Sequence, residues 1–410
     1  MKKYTKALAF LLVCTLIFAT LVSCKGRKTE GDATPPPAEP TPTASAEPTP
    51  SPTPAAPVVT ATPADYVPFE GPVEHIFFHP LMTYPALSFS NIQADGFDDW
   101  FVTVDEYEKM LASLYKNDYI LVDITKVWSE GKNEAGETRM VRNPIMVPPG
   151  KKPLIISFDD VNYYDYMREA GTVYKLIVGE NGEIWSWGID PDGKEVISQD
   201  LDIITVLTKF VKAHPDFSLD GAMGCIGLTG YQGILGYRTQ NDIDLAATDP
   251  LRPAFDAARQ AEIDGVKPVV ERLKADGYTF ASHSWGHIQF ESRKLDTIKR
   301  DTDRWLSEVG SLIGPTPVLL YPYGSRPDGG KENGPCFAYL QEVGFRIFPA
   351  VGVEPYQKIR SDTSAVVCDR MHPDGTTLRH SRDRYLRFYD AKDVMNTAVR
   401  PDRGTNWSAS

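Results

Sequence analysis

Cysteine is scarce in this chain, with five in 410 residues. Three of them, Cys225, Cys336 and Cys368, lie far apart in the body of the sequence. An odd number of widely spaced cysteines allows at most one bridge, and none has the spacing of a zinc motif. Buried thiols are therefore expected. Positive charge is also in short supply: 43 Lys and Arg face 55 Asp and Glu, a formal net charge of −12. Such a balance argues against nucleic acid or another polyanion as partner and says nothing against neutral glycans. Histidine numbers only seven, so any pairing of histidines in the sequence stands out.

A long apolar run occurs at the start, where Lys2, Lys3 and Lys6 precede Ala7–Val22. At 16 residues it falls short of the about 20 needed to span a bilayer. A basic start, a short apolar run and the small residues of Leu21-Val22-Ser23-Cys24 make residues 1–23 a lipoprotein signal peptide, with Cys24 as the lipidated first residue of the mature chain. Two acyl chains on Cys24 would hold the protein to a membrane without a transmembrane helix. Three lysines and no acid leave with the signal, as does Cys14, so the remainder is more acidic still. Residues 24–65 follow as a tether. Thr34–Pro63 holds 11 of the 33 prolines among Thr, Ala, Ser and Glu, a composition that favours extended polyproline II over a packed core. At about 3.1 Å per residue this stretch reaches about 90 Å.

The folded part runs from residue 73 to 410, its hydrophobic content of 42% ample for one large domain. Strands are expected at 75–79, 119–123, 154–158, 222–226, 278–281, 318–320, 345–348 and 365–368. Helices are expected at 104–115, 201–213, 266–275, 294–312, 336–342 and 390–398, several of them from apolar residues recurring at helical spacing. Residues 129–150 read as a polar loop. Strand and helix alternate, which argues for an α/β fold on a parallel sheet. Residues 174–198 break that alternation. Glu180-Asn181-Gly182 between two strand-like runs signals a β-hairpin, read as an insertion and a candidate cleft wall, with Trp185 and Trp187 on one side of a strand. Glycines 224, 227, 230, 233 and 236 recur at every third position, too few for collagen, and read as a flexible loop.

Two stretches carry chemistry. The apolar run Leu154-Ile155-Ile156 ends in Ser157-Phe158-Asp159-Asp160. Adjacent carboxylates at the tip of a buried strand repel each other and need compensation. A divalent cation would provide it, with Asp160 as ligand and Asp159 free as a base. A solvated Asp-Asp turn is the plainer alternative for the pair alone. The second stretch is Ser282-His283-Ser284-Trp285-Gly286-His287, directly after a strand. One helical turn would put His283 and His287 on the same side, as for two ligands of one metal. Asp160, His283 and His287 with an open position make the ligand set of a hydrolytic site. Zinc suits it, and cobalt, nickel or manganese would also fit.

FDD followed by HSWGH resembles the first two motifs of the polysaccharide deacetylases (NodB-homology, carbohydrate esterase family 4). Tyr321-Pro322-Tyr323-Gly324, after the apolar Val318-Leu319-Leu320, resembles the third. The resemblance implies a distorted, incomplete (β/α) barrel of the NodB type. It also implies Asp159 as catalytic base and a backbone N–H at Tyr323 as oxyanion donor. Tyr321, Pro322, Gly324 and Arg370 are expected at the substrate, and the general acid maps to His372, with His380 as the other choice. The sequence departs from the family at three points. Val161 replaces the glycine after the Asp pair, Leu320 stands where many members carry the arginine that orients the base, and a fourth motif is not identifiable. Arg326 or Arg370 could replace that arginine in space.

The expected activity is removal of N-acetyl groups from an extracytoplasmic polysaccharide, peptidoglycan or another N-acetylglucosamine polymer. An O-acetyl esterase acting on xylan-type glycans would use the same motifs. A carbohydrate-binding envelope lipoprotein with a decayed site is the non-enzymatic alternative; the altered glycine and arginine favour it, and the intact Asp159, Asp160, His283 and His287 oppose it. No protein partner is expected.

Overall fold

The computed structural model describes residues 65–407 apart from 134 and 243. The expected signal peptide, Cys24 and most of the tether lie outside the described residues. Among the described residues no helix is long and apolar enough to cross a membrane.

Strand β1 (Glu74–Phe78) is followed by helix α1 (Ala94–Trp100) and helix α2 (Val104–Lys116). Helix α2 starts where Thr103 and Glu106 close a capping box, each side chain satisfying the other's backbone N–H. Its Tyr107, Met110, Leu111 and Leu114 form a buried stripe at helical spacing. Burial of side chains this size contributes about 1.5–3 kcal/mol each. Strand β2 (Tyr119–Leu121) leads to the central strand β3 (Lys152–Phe158), whose last six residues are all buried. A run apolar on both faces is what a strand covered on both sides requires. Helix α3 (Ile203–Ala213), capped by Asp202, precedes strand β4 (Cys225–Leu228). Helix α4 (Arg252–Ala275) and strand β5 (Thr279–Ser282) follow, then helix α5 (Leu295–Trp305), strand β6 (Ile347–Val351) and strand β7 (Val366–Arg370).

The order β5-β4-β3-β1 is parallel throughout, and β2 joins the first half of β3 in the same sense. The hydrogen bonds do not stop at β5. Ser282 bridges to Leu319 and Val318 bridges to Ile347 of β6, which pairs in parallel with β7. Beyond β7, Met371 bridges back to Ile76 of β1. The ladder therefore returns to its first strand, and the ends of β1, β3, β5 and β7 gather around one cleft.

Several sequence expectations change. Residues 129–150 are no plain loop: Trp128–Lys132 and Thr138–Arg142 pair as an antiparallel hairpin. Residues 174–198 form a three-stranded antiparallel sheet, because both turns, at Gly182 and at Gly193, reverse the chain. Helix α4 begins fourteen positions earlier than its periodicity suggests, since its buried residues start only at Ile263. Its polar first half is held instead by arginines, Arg252 donating to Asn241 Oδ1 (2.9 Å) and Arg259 to the Thr239 carbonyl (2.7 Å). The last helix shrinks to Ala391–Val394. Cys225, Cys336 and Cys368 are buried free thiols.

The C-terminal segment is tied to α1 and α2 by a buried ion cluster. Arg400 donates to Glu106 through Nε (2.6 Å) and to Asp98 through a guanidinium nitrogen (2.9 Å), and Arg379 reaches Asp98 at 2.7 Å. Burial pushes the Asp98 carboxyl up, and Arg379 and Arg400 more than reverse it. Arg400→Met would leave the buried Glu106 carboxylate without its arginine, while Asp98 keeps Arg379, an expected loss of about 3–5 kcal/mol of stability, read as a lower denaturant midpoint.

Candidate metal centre and cleft

At the tip of β3 the chain turns sharply, with Asp160 at φ 59° and Tyr163 at φ 51°. Positive φ in residues other than glycine costs energy and clusters where function demands it. The turn separates the two carboxylates. Asp159 faces back toward β7, where Arg370 grips it with two bonds, to Oδ1 at 2.6 Å and Oδ2 at 2.9 Å. Burial alone pushes the Asp159 carboxyl up, but the guanidinium of Arg370 and the imidazole of His283 hold it well below the usual carboxylate range. Asp160 faces the histidines. Its Oδ1 accepts from the Tyr164 hydroxyl at 2.7 Å, and its Oδ2 lies 3.7 Å from His287 Nε2.

His283 follows β5 and is fully buried. Its Nδ1 donates to the Leu320 carbonyl at 2.9 Å, so Nε2 is the nitrogen left with a free lone pair. Beyond it the chain is not helical as expected: Ser284 (φ 57°) and His287 (φ 50°) both take the left-handed conformation. The reason lies on α5, where Asp301 accepts the Trp285 and Gly286 N–H groups, both at 2.8 Å. The histidines still meet, with ring centroids 4.9 Å apart. One ligand atom each from Asp160, His283 and His287 lie within 4.8 Å of one another.

These donors suit a divalent ion. Two imidazole nitrogens and one carboxylate oxygen are the ligand types of zinc-like metals. The second atoms of Asp160 and His283 are tied to Tyr164 and Leu320, the outer contacts that fix ligand orientation. Protonation also fits. Burial pushes the Asp160 carboxyl up, but His287 and His283 more than offset it and keep it below its ordinary value. Burial holds His287 below its ordinary value despite the opposing pull of Asp160. An ionised carboxylate and a neutral imidazole are what a metal needs.

The resemblance-based motif at Tyr321–Gly324 divides. Tyr323 sits at φ 58°, 64% exposed, its ring centroid 4.4 Å from that of His287. The hydrogen bonds of this turn run from Gly324 to Tyr321 and from Ser325 to Pro322, leaving the Tyr323 N–H out of the turn's own ladder. Tyr321 and Pro322 are not substrate-facing as expected. Both are buried, the Tyr321 ring packing on Phe290 and Phe348. Gly324 does not face the cleft either: at φ 67° its missing Cβ would stand 2.8 Å from Val351 Cβ, so it serves the turn.

Arg370 also needs correcting. It is fully buried and stacks 4.2 Å above the Phe77 ring, so it is closed to a substrate and acts on Asp159 instead. Arg326 is engaged elsewhere, by Glu332 and Asp369. Leu320, at the family's arginine position, is buried near Gly227, where a Cβ would lie 2.7 Å from its Cδ1 and 3.3 Å from Asp159 Oδ1. The recurrent glycines thus make room for neighbours. Gly230 repeats the lesson, since a Cβ there would collide with the Trp285 indole at 2.0 Å.

His372 lines the cleft, its Nδ1 3.0 Å from Asp374 Oδ2 and its ring stacked 4.2 Å from Phe77. Its Nε2 is buried without a hydrogen-bond partner among the described residues. His380 lines a separate hollow beside Arg379 and Arg382. His79 was not anticipated. It stands just past β1 in the same cleft, 4.8 Å from the His372 ring, with Nδ1 bonded to the Trp100 carbonyl at 3.2 Å. Burial and then the neighbouring His372 lower its pKa to about 4. Its position at a strand end, four residues after His75, was the available signal.

The cleft encloses about 730 Å³, and its walls are aromatic, with Trp100, Phe101, Tyr166, Tyr231 and Trp285 among them. Residues 174–198 contribute nothing to it, contrary to expectation. Trp187 packs edge-on against Tyr174, and the Trp185 indole bonds Asn181 at 3.1 Å, so both serve their own small sheet.

No family model and no curated protein matches the chain. Among solved structures it is similar to the Streptococcus pyogenes deacetylase PplD in complex with acetate, at 11% identity and TM-score 0.39, over 75% of this chain and 94% of that one. It is also similar to BC0361, a polysaccharide deacetylase from Bacillus cereus, at 11% identity and TM-score 0.38, over 79% and 69% respectively. The functional reading therefore rests on the residues of the cleft.

Proposed function

We propose that this chain is a metal-dependent polysaccharide deacetylase that hydrolyses N-acetyl groups. The observation that carries the reading is the division of labour at Asp159-Asp160. One carboxylate is locked by Arg370. The other groups with His283 and His287. A bare binding module gains nothing from two adjacent buried carboxylates held in different ways.

Asp160, His283 and His287 would hold a divalent ion, zinc in first place, which would supply Lewis acidity and an acidified water. Asp159, kept ionised and fixed in direction by Arg370, is the general base for the attacking water. The Tyr323 N–H donates to the oxygen on which negative charge develops. His372, anchored through Nδ1 to Asp374, delivers a proton from Nε2 to the departing amine. Asp374 fixes the direction of that ring, its own carboxyl being pushed up by burial but drawn below its ordinary value by His372.

The closed path of parallel strands supports a distorted (β/α) barrel of the NodB type for residues 73–410, with 174–198 as its insertion. The basic and then apolar start of the sequence, Cys24 after Leu21-Val22-Ser23, and the proline-rich stretch that follows support reading 1–23 as a leader, Cys24 as lipidated and 24–65 as a tether of an extracytoplasmic enzyme acting on a surface polymer. O-deacetylation of a xylan-type glycan would use the same residues. The decayed-site alternative loses its main support, because Arg370 takes the place of the arginine missing at Leu320.

The test is acetate release by the zinc-loaded chain from N-acetylglucosamine oligomers and from acetylated xylan, beside Asp159→Asn. Release from the first, reduced about 10²–10⁴-fold in the variant, is the expected result. No release from either polymer would overturn the reading, and release from xylan alone would make the protein an esterase.

A further inference from the structure

Three large aromatic side chains stand in water around the mouth of the cleft. Trp100 is 58% exposed, Tyr323 64% and Tyr231 39%. Large apolar surface left in water around a cavity marks a binding face. Trp100 is fixed through its backbone and Tyr231 through its ring. The Trp100 carbonyl accepts from His79, and the next carbonyl, that of Phe101, accepts from buried Arg400 at 2.6 Å. Tyr231 packs on Tyr164 (4.9 Å), which stacks on Tyr166 (5.7 Å). The aromatic faces come from α1, from the turn after β3 and from the loop after β4.

The charge of the lining is equally informative. Among the described residues around the cleft there is no lysine or arginine. Arg370 lies behind Asp159 and is fully occupied there. A carboxylate carried on a flanking ring would meet aromatic faces and the Asp159 and Asp160 carboxylates with no lysine or arginine beside it, a costly placement. A neutral sugar ring offers an apolar C–H face to an aromatic ring, and its hydroxyls remain free to meet the tyrosine hydroxyls.

We infer that the cleft selects a neutral, unsubstituted N-acetylhexosamine polymer, with Trp100 and Tyr231 as stacking platforms for rings flanking the one presented to Asp159. Glycans that carry carboxylates on their rings or as side groups are excluded. The inference rests on the deacetylase reading for the identity of the reacting ring, and binding tests it without turnover.

The experiment uses the whole chain with Asp159→Asn, titrated calorimetrically with an N-acetylglucosamine hexamer and with a hyaluronan hexamer, in which alternate rings bear a carboxylate. The neutral hexamer is expected to bind at least about tenfold more tightly than the charged one. Adding Trp100→Ala or Tyr231→Ala is expected to weaken the neutral hexamer by about tenfold each, with Trp100→Phe recovering part of the loss. Unchanged metal content and melting temperature certify the fold of each variant. Equal binding of the two hexamers, no binding of either, or neutral binding indifferent to both aromatic positions would overturn the inference. Acetate release with binding indifferent to Trp100 sinks the inference and leaves the activity. Trp100-dependent binding without acetate release sinks the activity and leaves the binding site.

Discussion

His287→Ala is expected to lower bound zinc from about one ion per chain to background and to abolish acetate release. The loss should exceed the about 10–100-fold that follows removal of an outer contact of a metal site. His287 is the most open of the three donors, its side chain 24% exposed, so the fold should survive its truncation. His283→Ala should give the same loss of metal with a further stability cost of about 1–3 kcal/mol, because the buried Leu320 carbonyl then loses its donor. Metal analysis of the purified variants, with melting temperature alongside, separates the two effects. A variant that keeps stoichiometric zinc would remove its residue from the ligand set. Chelation of the wild type should reproduce the loss, and zinc should restore activity.

Arg370→Met is expected to retain the metal and still lose about 10²–10⁴-fold in kcat, the range typical of a general base put out of action. Without the guanidinium, burial dominates at Asp159 and its pKa rises. A base must be ionised to work, so the acid limb of the pH profile moves to higher pH. The same residue enters stability with a definite sign. A carboxyl whose folded pKa is depressed stabilises the fold above its unfolded value near 3.9 and loses that contribution as pH falls. Arg370→Met removes this contribution and leaves a buried charge unpaired, about 3–5 kcal/mol at neutral pH. Arg370→Lys restores the charge but not the two-pronged grip, so a partial recovery of kcat is expected. An unchanged acid limb in Arg370→Met would mean that the arginine does not govern Asp159.

The metal donors were legible because their residue types are rare and their spacing is local. His283 and His287, one of two histidine pairs four positions apart, and two aspartates at the end of an apolar run announce themselves. The conformation between the histidines was not legible. Asp301, sixteen and fifteen positions from the N–H groups it accepts, sets it from another element. Arg370 was named as a possible partner for the base yet also placed at the substrate, because sequence does not tell which way a strand-end side chain points. The start of α4 escaped for a different reason: a helix stapled by arginines over its first half carries no apolar rhythm. The cleft walls were missed since aromatic residues are common, and only their convergence from α1 and two loops distinguishes Trp100 and Tyr231 from Trp185 and Trp187.

The return of the strand ladder from Met371 to Ile76 bears on how the protein folds. Asp159 and Arg370 are 211 positions apart, and His75 and Ser157, which share a bond behind them, are 82 apart. Contacts of such separation require large loops to close before they contribute, which slows folding and raises its dependence on late chain segments. The catalytic base therefore acquires its charge partner only when nearly the whole chain is present. Shorter products ending before residue 370 would carry the metal donors and the buried Asp159 without its counter-ion, a ready substrate for quality control.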